Sequence, residues 1–191
     1  MQVGIRGISN QSTIHYRATY LSLTMRVNVI YKGLLVASLL TAFFTAPAQT
    51  PAQNLPAFTF FKPDQKTFTE KHLPGGKLLL FIFFDPGCEH CQRTVGYINQ
   101  HWSDFSKASM IMVSMDKLDK INAFMNTYAK QLLKQKNLIL LQDRNYQFIT
   151  NFKPKKFPAL FLYSAKKQLL LYDDREESIP AIVHIIQKTG R

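Results

Sequence analysis

The hydrophobic and polar positions of this 191-residue chain fall into stretches of distinct period. Leu78 to Phe84 is an unbroken apolar run closed by Asp85-Pro86-Gly87, which has the length and punctuation of a strand buried on both faces. Met110 to Met115, apolar except for Ser114, predicts a second such strand, ended by Asp116-Lys117. After Cys91, the positions Val95, Ile98, Trp102 and Phe105 keep helical spacing and predict one buried stripe that includes Trp102. Leu118, Ile121, Phe124, Met125, Tyr128 and Leu132 repeat that spacing in a second helix, and Leu138 to Leu141 predicts a short strand. Asp143 is placed to cap a short helix through Ile149. Ala159 to Tyr163 and Gln168 to Tyr172 read as an antiparallel pair turning at Ser164-Ala165-Lys166-Lys167. In the last helix Ser178 supplies the cap, Pro180 sits in the first turn, and Ile182, Ile185 and Ile186 supply the buried face. At the front, Phe58, Phe60 and Phe68 alternate around Pro63-Asp64 as a short added hairpin, and Glu70 to Gly76 is a turn with His72 at the surface. Strands alternating with helices and closing on a hairpin predict an α/β sandwich with a mixed central sheet.

The first 48 residues contain no acid and read as a leader. Met25-Arg26 through Lys32 is a positive n-region, Gly33 to Phe44 an apolar h-region, and Ala46-Pro47-Ala48 a small-residue cleavage site. Twelve apolar residues are too few to span a bilayer. The expected organisation is therefore a leader over 1–48, starting in earnest at Met25 with a signal peptide over 25–48, a linker over 49–56, and one domain over 57–191. A mitochondrial-type transit peptide and an uncleaved signal acting as an anchor are the alternative readings. Export predicts a periplasmic or other extracytoplasmic location.

The formal charge of +12 changes the picture less than its size suggests. Four basic residues precede residue 49, and the remaining 20 stand against 12 acidic ones, a net of +8. The densest cluster, Lys153, Lys155 and Lys156, reads as solvated lysines; no nucleic-acid motif accompanies it, and no nucleic-acid partner is expected. A hydrophobic content of 46% excludes a disordered chain.

Cys88 and Cys91 are the only cysteines. Two thiols cannot form a disulfide framework or supply four zinc ligands, and a bridge between them closes too small a loop to be a useful staple. Three residues apart at the start of a helix, they share one face with both sulfurs in bonding reach. A thiol at a helix N-terminus meets exposed N–H groups and the positive end of the dipole, so Cys88 is expected to ionise readily and act as nucleophile. Cys91, one turn further in and more buried, would then close the disulfide on Cys88 and release a substrate thiol.

A buried strand, a Cys-x-x-Cys turn and a helix resemble the thioredoxin superfamily. Phe58-Thr59-Phe60-Phe61 leading to Gly76-Lys77 resembles its TlpA/ResA-like extracytoplasmic branch, and Lys156-Phe157-Pro158-Ala159 matches the place of the family's cis-proline before a strand. The resemblance covers roughly residues 56 to 189. It implies a three-layer thioredoxin-like sandwich with an added N-terminal hairpin, and a monomeric protein-disulfide oxidoreductase that needs no cofactor and no metal. It further implies a substrate groove at Phe157 and Pro158, protein thiols and disulfides as partners, and a DsbD-like membrane electron donor. Between the cysteines, Glu89 and His90 tune the redox poise in opposite senses: a carboxylate disfavours a neighbouring thiolate, and a protonated imidazole favours it. Glu at this position is similar to ResA-like reductases, His before the second cysteine to DsbA-like oxidases. The gap between thioredoxin and DsbA is roughly 150 mV, or about 7 kcal/mol for two electrons. The scaffold favours the reductase direction, with an oxidase as the alternative.

Three residues depart from the family pattern. Gly87 replaces the usual Trp before the first cysteine, leaving Phe84 as the candidate aromatic shelf. Ile82 stands where thioredoxins bury an Asp, and Asp85 is the nearby carboxylate, either a turn former or a proton acceptor through water. Phe157 is bulkier than the frequent Thr or Val. The rival readings are a copper or zinc module using Cys88, His90, Cys91 and His184, a peroxidase, whose motif would require Pro where Phe81 stands, and a peptide-binding domain without catalysis.

Overall fold

The computed structural model describes residues 50–189. The leader over 1–48, its start at Met25 and the signal peptide over 25–48 lie outside the described residues. In chain order the regular elements are β1 (Thr59–Phe61), β2 (Thr67–Thr69), β3 (Leu78–Phe83), α1 (Glu89–Gln100), β4 (Ala108–Ser114), α2 (Leu118–Tyr128), β5 (Leu138–Gln142), α3 (Gln147–Phe152), β6 (Ala159–Tyr163), β7 (Leu169–Asp173) and α4 (Ile179–Thr189). The strands form one sheet in the order β2-β1-β5-β4-β3-β6-β7. β3 pairs parallel with β4 and β4 with β5, whereas β6 lies antiparallel to β3 and β7 to β6. The mixed sheet and the added front hairpin are those the hydrophobic pattern predicts.

Every residue of β3 is buried, because helices cover one face and aromatic rings the other. Leu78, Leu80 and Ile82 point to the side of Val95 and Ile98 of α1, Phe124 of α2 and Ile182 of α4. Leu79, Phe81 and Phe83 point the other way, onto Phe58 and Phe60 of the front hairpin and Phe148 and Phe152 of α3. Phe148 lies 4.0 Å from Phe152 and 4.2 Å from Phe83, centroid to centroid.

Four local expectations are revised. Trp102 is 38% exposed: α1 stops at Gln100, and Trp102–Phe105 winds as a 3₁₀ turn. At three residues per turn the stripe rotates, and Phe105 alone points inward. The helix after Asp143 runs from Gln147 to Phe152, beyond Ile149. The fully buried Asp143 carboxylate receives N–H groups from Asn145, Gln147 and Phe148, so it holds both the loop and the helix start. Ser178 donates its hydroxyl to the Arg175 carbonyl at 2.7 Å and closes a 3₁₀ turn instead of offering its oxygen to α4. The stretch read as linker is tied down, since Leu55 N–H donates to the Lys167 carbonyl at 2.9 Å and Gln53 accepts from Leu169 N–H at 2.8 Å.

Candidate active site

The chain leaves the sheet at the C-terminal end of β3 through a tight turn. Phe84 still donates its N–H to Val113 on β4 at 3.0 Å. Asp85 Oδ1 then accepts the Gly87 N–H at 2.7 Å, and the Asp85 carbonyl accepts the Cys88 N–H at 3.1 Å. Glycine suits position 87 because a Cβ there would lie 3.3 Å from Asp85 Oδ1, a crowded contact. The missing tryptophan and the turn-forming carboxylate are thus two sides of one local arrangement. Asp85-Pro86-Gly87 delivers Cys88 to the N-cap position of α1, with its carbonyl accepting the Gln92 N–H at 3.0 Å. The Cys88 side chain makes no capping bond, so its sulfur stands at a helix end whose first N–H groups lack side-chain partners.

Both cysteines are free thiols in different surroundings: Cys88 is half-buried and Cys91 fully buried. The Cys91 sulfur receives the Asp85 backbone N–H at 3.5 Å. Burial pushes the Cys91 thiol far above the ordinary thiol range; the Asp85 N–H opposes this, and the Cys88 sulfur and the Asp85 carboxylate reinforce it. One thiol of the pair is therefore accessible, and the other holds its proton until something takes it.

Glu89 and His90 are both exposed on the first turn of α1. Arg93 Nη2 lies 2.7 Å from His90 Nδ1. Guanidinium only donates, so Nδ1 is the acceptor in this pair. His101 ends α1, with Nδ1 2.9 Å from the Tyr97 carbonyl, and His184 is exposed on α4. Among the described residues no three His, Cys, Asp or Glu side chains are grouped to hold a metal ion.

The Phe157–Pro158 peptide is cis. The antiparallel register sets Ala159 opposite Phe83, so Pro158 comes immediately beyond the last paired residue, at the same end of the sheet where β3 gives way to the cysteine turn. Pro158 is buried, and Phe157 is half-buried with its ring 4.7 Å from Phe83, packed against both faces of the core. The preceding loop is held by Tyr172, whose hydroxyl accepts the Lys155 N–H at 2.9 Å and donates to Asp174 Oδ2 at 3.1 Å. Burial first, and then Asp174, push the Tyr172 phenol up to about 12. Lys156 completes the arrangement with an ion pair to Asp174 at 3.4 Å.

Phe84 does not form an exposed shelf: it is fully buried, 4.8 Å from Phe124. The aromatic residue at the rim is Tyr128, tilted against Phe124 with ring centroids 5.1 Å apart. With Gln92 it lines two hollows flanking the cysteine turn, one of about 810 Å³ beside Glu89 and Arg93 and one of about 530 Å³ beside Asp85 and Gly87. Its helical spacing marked Tyr128 only as packing; the polar end of a tyrosine on the last turn of a helix was the available signal.

Among solved structures, the thioredoxin domain of a thiol-disulfide oxidoreductase from Bacteroides vulgatus superposes with a TM-score of 0.60 at 17% identity, over 75% of this chain and 100% of that one. A protein assigned as thiol:disulfide interchange protein DsbE from Chlorobium tepidum gives 0.59 at 14% identity, over 73% and 99%. An uncharacterized thioredoxin-like protein from Porphyromonas gingivalis gives 0.57 at 19% identity, over 74% and 97%. No match is found among curated proteins. Among protein families, the AhpC/TSA family matches residues 51–172, a span that takes in the cysteine turn, α1 and the cis-proline loop. A paired-thiol turn at the end of a buried parallel strand, with a cis-proline immediately before the neighbouring antiparallel strand, is thus carried by a chain that belongs to the AhpC/TSA family of the thioredoxin superfamily.

Proposed function

We propose that the protein is an exported thiol:disulfide oxidoreductase of the TlpA/ResA-like kind, working on protein disulfides through Cys88 and Cys91. The observation that carries this reading is the asymmetry of the pair: an accessible thiol at a helix N-terminus, three residues from a buried, proton-retaining one. Cys88 as thiolate attacks one sulfur of a substrate disulfide, forming a mixed disulfide and expelling the other sulfur as thiolate. Cys91 then gives up its proton and attacks the Cys88 sulfur. The mixed disulfide breaks, the second substrate thiol leaves, and the Cys88–Cys91 disulfide carries away the two electrons' worth of oxidation. The Asp85 carboxylate, next to Cys91 in the turn, is the proton acceptor for that second step, directly or through water. Phe157 and Pro158 border the groove that receives the substrate strand.

The reductase direction is supported by Glu89, since a Glu at this position between the cysteines is similar to ResA-like reductases. Outside the cytoplasm a reductase is recharged by a membrane donor, here of DsbD-like type. An extracytoplasmic location rests on the leader in the sequence; among the described residues no helix is long and apolar enough to cross a membrane. Reduction of insulin by dithiothreitol tests the enzymatic claim, with acceleration expected for the wild type and none for Cys88→Ser. Equal rates for the two proteins would sink it. The reduction potential of the cysteine couple tests direction separately: a value near that of thioredoxin, about −270 mV, supports a reductase, and one near about −120 mV an oxidase.

A further inference from the structure

The parallel strands begin at the end of the sheet opposite the cysteines, and there the described charged side chains that line the surface hollows are all lysines. Lys77 immediately precedes β3, Lys107 precedes β4, Lys136 lies two residues before β5, and Lys166 sits in the β6–β7 turn. Two hollows of about 540 and 530 Å³ open at this end and meet at Lys77 and Ser106. Lys134 and Lys136 line the first and Lys107 and Lys166 the second, and among the described residues no Asp or Glu lines either. All five lysines are exposed, and among the described residues none makes an ion pair. The positive charge of this patch is therefore not neutralised by direct ion pairs among the described residues. At the opposite end, by contrast, Lys120 pairs with Asp116, Lys156 with Asp174 and Arg175 with Asp173.

We infer that this lysine-lined end is a docking surface for a membrane bearing anionic lipid headgroups. Three features select that partner among polyanions. Among the described lining residues the cations are all lysines, point charges suited to a diffuse layer of headgroups, with none of the guanidinium forks that read nucleic-acid phosphates and bases bidentately. Trp102, 38% exposed, lines the first hollow beside Pro74 and Ile139, so an amphipathic ring stands among the charges as at a bilayer interface. The incoming chain is fastened at the same end, where Asn54 bridges to Gln168 and Leu55 donates to Lys167, shortly after the apolar stretch Gly33 to Phe44 in the sequence. Docking there leaves the cysteine turn, about 20 Å away along β3, facing the solvent and its substrates.

Partition of the full chain onto vesicles tests this. Vesicles of phosphatidylcholine alone and with about a third phosphatidylglycerol are compared by sedimentation at low and high salt; the four basic residues before residue 49 also favour the anionic composition, so the lysine variants, which leave them unchanged, isolate the patch. The expected result is a preference for the anionic vesicles that collapses at high salt. Each lysine contributes about fivefold, so Lys134→Gln with Lys136→Gln lowers that preference about 25-fold. Lys153→Gln with Lys155→Gln removes the same charge elsewhere and leaves it unchanged. The inference is overturned by equal partition onto the two compositions, by an equal fall in both double variants, or by lysine-dependent retention on heparin or DNA without vesicle preference. Circular dichroism of each variant establishes that it is folded.

Discussion

On one face of β3, Leu78, Leu80 and Ile82 meet aliphatic side chains of three helices, and one of those helices carries Cys91 among its buried residues. On the other, Leu79, Phe81 and Phe83 meet a slab of phenylalanines from the front hairpin and α3. The helical face holds the reacting sulfurs and keeps Cys91 dry; the aromatic face holds the rest of the sheet in register. Phe157 packs against both, which places the cis-proline loop where the two halves of the core converge. The contrast teaches that chemistry and stability are largely separable in this molecule, and that the turn after β3 and the loop before β6 are where they join.

Four experiments break or sharpen that contrast. Cys88→Ser should reduce thiol–disulfide exchange to the uncatalysed rate while leaving thermal stability unchanged, as read by insulin turbidity and calorimetry. Phe148→Ala, on the aromatic face, should do the reverse: a loss of about 3–5 kcal/mol in denaturant unfolding with exchange per folded molecule preserved. A loss of activity in proportion to nothing but folding would support separability; a specific fall in kcat would show the faces to be coupled. Asp85→Asn should slow release of the second substrate thiol from a preformed mixed disulfide by about a hundredfold and weaken its pH dependence. The attack by Cys88 should be little affected, so a uniform decline in both steps would reduce Asp85 to a turn former.

The smallest effect is a pH dependence that sets in first on the helical face. Cys91 has a folded-state pKa above the ordinary thiol value of 9.0, so the native state keeps a proton that the unfolded state loses. Its contribution to stability is complete below that value and declines as pH rises beyond it, by at most about 1.4 kcal/mol per pH unit. Tyr163 and Tyr172, both raised by burial from 10.0, add the same sign at still higher pH. Urea unfolding of the reduced protein between pH 8 and 10 should show this decline in the wild type and its near absence in Cys91→Ser. A flat profile in both would contradict the burial assigned to Cys91.

The sequence by itself determined the order and type of the main elements, because their signals are local. An unbroken apolar run names a doubly covered strand, a 3.6-residue period names a one-sided helix, and a Cys-x-x-Cys after a Pro-Gly turn names a paired-thiol site. What it left open was settled by contacts between segments far apart in the chain. Trp102 kept the helical period yet points outward because α1 ends one turn early, and Asp143 lies well before the helix it serves, with Asn145, Gln147 and Phe148 all bonded to it. Tyr128 reads as packing until the fold sets it beside the cysteine turn, and the five lysines, spread from Lys77 to Lys166, become one patch only when four strand ends are brought together. Period and turn chemistry act over a few residues, whereas burial, electrostatic compensation and the mouth of a site are sums over neighbours that the chain acquires only by folding.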